Sequence, residues 1–106
     1  MRIFKKLIRD KMPEIMAQKG TPITTRVLED GAEFIAALEN KLLEEVQELR
    51  NKENPVVVQI AYMHEILDAL MKAYNLSPED VGAERKQKME ERGGFSKRLF
   101  LENNPG

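Results

Sequence analysis

GAEFIAALENKLLEEVQELRN, residues 31–51, and PVVVQIAYMHEILDALMKAY, residues 55–74, decide the fold. In the first stretch Phe34, Ile35, Leu38, Leu42, Val46 and Leu49 recur at a helical period. Asp30-Gly31 opens the segment, and Asn51-Lys52-Glu53-Asn54-Pro55 breaks it. In the second stretch Val56, Ile60, Met63, Leu67, Leu70, Met71 and Tyr74 form an apolar stripe that is too broad for one neighbour to cover. Two long helices of this kind predict an all-α fold. The width of the stripe predicts that a second copy of the chain completes the bundle.

Shorter elements surround this pair. Pro13 to Lys19 predicts a short helix, with Pro13 in its first turn and Gly20 just past its end. Thr21 to Leu28 (TPITTRVL) is β-branched and roughly alternating, which predicts a short strand or extended segment. Ser77-Pro78-Glu79-Asp80 supplies an N-cap, a proline at the first helical position and an acid at the third. The third long helix begins there and ends at Gly93-Gly94. Phe95 to Leu101 reads as a short terminal strand, and the residues from about 102 as a flexible tail. No internal repeat or low-complexity segment interrupts the chain, so one domain over residues 1–106 is expected.

Composition narrows the chemistry. Charged residues make up 33% of the 106 residues, yet the net charge is only −1, so no global field favours nucleic acid or an anionic membrane. No stretch approaches the roughly 20 apolar residues of a membrane span. The absence of cysteine excludes a disulfide framework, a thiolate nucleophile and a cysteine-ligated zinc site. It also fits a reducing cytoplasm, the expected location. A single histidine, His64, excludes any site that needs two. Gly93-Gly94 is not a phosphate loop, because neither glycine-rich phosphate-binding pattern is present.

What remains is acidic. Glu44-Glu45-Val46-Gln47-Glu48 is an E-E-x-x-E run and Glu65-Ile66-Leu67-Asp68 an E-x-x-D run. Residues three apart share a helix face, so Glu45 projects with Glu48, and Glu65 with Asp68. An isolated E-E-x-x-E run is commonly a solvated face. Glu65 and Asp68, however, lie in a helix that is apolar almost all round, where stray acids are costly. Four carboxylates on two facing helices would repel unless a hard cation joined them, and all-oxygen ligation suits Mg²⁺ or Mn²⁺. Glu45, Glu48, Glu65 and Asp68 are therefore the expected metal ligands. Lys86, Lys88 and Arg92 on the last helix, and Arg9 and Lys11 near the start, are candidates to clamp anionic oxygens.

These segments resemble, in order, the MazG-like group of all-α nucleoside triphosphate pyrophosphohydrolases. Lys6 to Ile15 (KLIRDKMPEI) looks like the K-L-V-R-D-K-I-P-E-I opening of its compact members. Lys41 to Glu48 is similar to their E-E-x-x-E helix, Glu65 to Asp68 to their E-x-x-D helix, and Lys86 to Phe95 (KQKMEERGGF) to their closing K-x-x-x-x-E-R-G-G-F segment. The resemblance implies a helical bundle completed by dimerisation, often with dimers pairing into tetramers. It also implies Mg²⁺-dependent hydrolysis of a nucleoside triphosphate to the monophosphate and pyrophosphate, as in house-cleaning of nucleotide pools, with Glu45, Glu48, Glu65 and Asp68 on the metal and Glu44 and Glu45 as the catalytic acids, Glu44 orienting the water. His64 stands where an acid often precedes the E-x-x-D glutamate. Phosphoribosyl-ATP pyrophosphohydrolases share the carboxylate logic, but the R-D-K-x-P opening favours the MazG-like side. The competing class is a non-enzymatic helical dimerisation or scaffold module whose acids are simply surface.

Overall fold

A computed structural model describes residues 5–104 of the chain. The architecture is all-α. Among the described residues there are four helices: α1 (Met12–Gln18), α2 (Gly31–Arg50), α3 (Val56–Ala73) and α4 (Pro78–Arg92). The described residues form two compact units, divided between Asn75 and Leu76.

The helix boundaries follow local chemistry. Pro13 lies in the first turn of α1, and the helix ends in a Schellman motif. The Thr21 amide donates to the Met16 carbonyl (3.0 Å) and the Gly20 amide to that of Ala17 (3.1 Å). Gly20 takes the left-handed φ of +80° that this closure requires. Helix α2 begins where the Asp30 carboxylate accepts the Ala32 amide at 2.9 Å. It ends in the same motif with Lys52 at φ 58°, the Glu53 amide reaching the Glu48 carbonyl at 3.2 Å. Helix α4 carries a complete capping box, in which Ser77 and Asp80 exchange side-chain and backbone bonds of 3.0 and 2.9 Å. The Ser77 amide, and after it the Ser77 hydroxyl, hold the exposed Asp80 carboxyl below its usual range.

In the first unit α2 and α3 pack on each other, and the five residues 51–55 turn the chain back between them. Leu38 (3% exposed) and Ile66 (8%) are the fully buried apolar residues, flanked by half-buried Phe34, Ile35, Leu42, Met63, Leu70 and Met71. Much of the predicted stripe on α3 is uncovered within the chain: Val56, Val57, Ile60, Leu67 and Tyr74 are all exposed.

Both expected strands are absent among the described residues. Residues 21–29 carry no regular structure, and residues 95–98 form a turn closed by the Arg98 amide on the Phe95 carbonyl (3.0 Å). A strand requires a second strand to take its backbone groups, and the described residues offer none. The apolar run Phe95, Leu99, Phe100 and Leu101 lies exposed.

Candidate acid and amide centre

Where α2 and α3 meet, two of the most buried residues are polar. Glu45 is 4% exposed and Gln59 is fully buried. The Gln59 amide nitrogen donates to Glu45 Oε2 and also to Glu48 Oε2 at 3.2 Å, so one NH₂ group joins both carboxylates. The carbonyl end of Gln59 accepts from Asn54 Nδ2 at 2.9 Å, which fixes the direction of the amide. On the other side Lys41, itself half-buried, lies 3.7 Å from Glu45 and 3.5 Å from Glu44. Lys6 reaches Glu44 at 3.5 Å. Among the described residues no buried side-chain polar atom lacks a partner, as a satisfied internal network requires.

The electrostatics follow from this packing. Burial raises the Glu45 carboxyl above the usual glutamate value. Glu48 raises it further through a hydrogen bond and like charge, while Lys41 and Gln59 pull it back down. A carboxyl held in this way is a stronger base than a surface glutamate.

The two acid pairs do not meet within the chain. Gln59 and Ile66 are seven residues apart, so they share the α3 face that packs on α2. Glu65 is turned roughly 100° from Ile66 on the helix, and Asp68 roughly 160°. Both are exposed. Along the axis Glu65 lies about 9 Å beyond Gln59, and Asp68 about 14 Å beyond it. The α3 residue that meets Glu45 and Glu48 is Gln59. Among the described residues no three Asp, Glu or His side chains converge to hold a cation. Within one chain Glu65 and Asp68 are not brought beside Glu45 and Glu48, and the Gln59 amide and Lys41 offset part of the charge on that first pair.

The expected anion-clamping residues divide between the units. In the first unit the Arg9 guanidinium stands 5.6 Å from the centre of the Tyr62 ring, a cation–π contact one turn from Gln59. Together with Lys6 on Glu44, this brings part of the R-D-K segment beside the acid centre. Lys11 is exposed. In the second unit Lys88 pairs with Glu84 (3.4 Å) and Glu91 (3.9 Å), while Lys86 and Arg92 are exposed on α4. A hollow of about 320 Å³ in that unit is lined by Leu76, Asp80, Val81, Glu84 and Arg85, none of them an expected site residue.

Sequence reasoning missed Gln59, Asn54 and Lys41. The signal for Gln59 was present, since it sits seven residues before Ile66 on the buried face. Comparison of the chain with models of known families, with curated proteins and with solved structures finds no match.

Proposed function

We propose that the chain is a nucleoside triphosphate pyrophosphohydrolase, cleaving between the α- and β-phosphates to release a monophosphate and intact pyrophosphate. The observation that carries this reading is Glu45, a carboxylate buried between two helices with its proton affinity raised and a second acid beside it. Buried, perturbed carboxylates concentrate where proton transfer is done. The ordered resemblance of four segments to the MazG-like group supplies the reaction.

The step can be written with this chain's own groups. A water attacks the α-phosphorus, its proton passes to Glu45, the bond to the bridging oxygen breaks, and pyrophosphate departs with that oxygen. Glu44 orients the water. Cationic charge from Arg9 and Lys11 offsets the negative charge of the outer phosphates. The resemblance adds Lys86, Lys88 and Arg92 of α4 to that role. It also implies Mg²⁺, with Mn²⁺ as a substitute, and this requirement belongs to the proposal. The proposed enzyme is a homodimer or a dimer of dimers.

The test is product identity in ¹⁸O-labelled water over a panel of nucleoside triphosphates, with Mg²⁺ and with EDTA. Label is expected in the monophosphate and none in the pyrophosphate, and turnover should stop in EDTA. Orthophosphate with a nucleoside diphosphate as first products would overturn the assignment.

A second reading is favoured by a specific observation. The bundle leaves Leu43, Val56, Val57 and Tyr74 exposed, each at least 50% accessible, and Gln59 already satisfies the acid pair. A non-catalytic helical dimerisation module fits both facts. Both readings share the expectation that two chains bury this face with two-fold symmetry. Sedimentation at micromolar concentration should give a dimer or tetramer, and a clean monomer would refute the shared expectation.

A further inference from the structure

We infer that Gln59 stands in for a cation: its amide N–H groups, inserted between Glu45 and Glu48, close this centre to divalent metal in the nucleotide-free protein. Three features of the geometry carry the inference. The amide is fully buried, so it is part of the fold and not a surface rotamer. Its single nitrogen serves both carboxylates, the bridging position a metal ion between them would occupy. Its orientation is fixed from outside, because Asn54 Nδ2 donates to its oxygen. To admit a cation the amide would have to present its oxygen to the carboxylates. That would break the Asn54 contact and both carboxylate contacts together. The residues one turn on from Gln59, Tyr62 and Met63, supply no carboxylate in its place.

The inference concerns the same centre as the proposed reaction, but it is read without turnover. Mn²⁺ is the probe, because it takes the same oxygen ligands as Mg²⁺ and its bound fraction is visible by electron paramagnetic resonance. The native protein is expected to bind Mn²⁺ weakly and to melt within about 1 °C of its EDTA value at millimolar Mn²⁺. Gln59→Glu places a third carboxylate against the pair. It should lower the melting temperature in EDTA, bind Mn²⁺ at least about tenfold more tightly than the native chain, and regain roughly 5 °C or more when the metal is added. Should Gln59→Glu be unfolded in EDTA by circular dichroism, refolding on Mn²⁺ addition supports the inference, and failure to refold counts against it. Native protein stabilised by Mn²⁺ as strongly as the variant would overturn it. Pyrophosphate release, measured in parallel, separates the two claims. Metal gained by Gln59→Glu with no turnover in either protein sinks the proposed reaction and leaves this inference standing. Turnover by a native chain that binds Mn²⁺ tightly without nucleotide does the reverse.

Discussion

Glu45→Gln should slow pyrophosphate release on the order of 10²–10⁴-fold, the usual range for losing a positioned proton acceptor, while the protein stays folded and becomes no less stable at neutral pH. The stability half of this expectation comes from the direction of the pKa shift. Glu45 binds its proton more tightly in the folded chain than when unfolded. The stability linked to that proton is therefore fully present below the usual glutamate pKa and is lost as pH rises through the raised folded value. At pH 7 the charged carboxylate is a standing cost, which a neutral amide of the same shape removes. The Gln59 bond survives, because the substituted side chain retains a carbonyl oxygen to accept it. Asp68→Asn is the internal control. Asp68 is exposed and turned away from α2, so its loss should change turnover by no more than a few-fold. If Asp68→Asn costs as much as Glu45→Gln, the two acid pairs meet across a subunit interface and not within one chain. A Glu45→Gln protein that turns over like the parent would remove the acid centre from the proposed chemistry.

That contrast also marks how far the sequence could be read. The helices were legible because their signals are local. Apolar spacing set α2 and α3, Asp30 and Ser77 capped α2 and α4, and Gly20 closed α1. No strand forms at 21–28, expected as a strand or extended segment, or at 95–101, because strand formation depends on a distant partner, which β-branched composition cannot report. The acid centre was half legible. Glu44, Glu45 and Glu48 were found from their spacing on one helix, and Arg9 from its segment. Glu65 and Asp68 do not come beside Glu45 and Glu48 within one chain, and the sequence could not report this, because spacing within a helix does not give the register between helices. Had the buried face of α3 been fixed first through Ile66, Gln59 would have been placed on it and Asp68 on the far side. Buried amides are easily missed in this way, since a glutamine in a helix normally reads as surface.

Leu38→Ala should destabilise the protein by about 2–5 kcal/mol, the range for truncating a buried leucine. Against the roughly 5–15 kcal/mol of a typical domain, that is a large share of the total stability. Leu38 is 3% exposed and shares the core between α2 and α3 with Ile66, the other fully buried apolar residue of the described chain. With so small a core, little remains to absorb the cavity. Chemical denaturation with the slope held fixed measures the loss, and a cost below about 1 kcal/mol would show that this contact is not the centre of the fold. Leu43, on the same helix but 68% exposed, supplies the comparison. In an isolated chain Leu43→Ala should fall within about 0.5 kcal/mol of the parent, as exposed substitutions do. If a second copy covers this face, the cost should rise well above that and grow with protein concentration, because unfolding is then coupled to dissociation. The α2–α3 hairpin buries too little apolar surface of its own, and leaves too much uncovered, for the second outcome to be surprising. A Leu43→Ala cost that stays small at every concentration would mean that this side of α2 is solvent-facing.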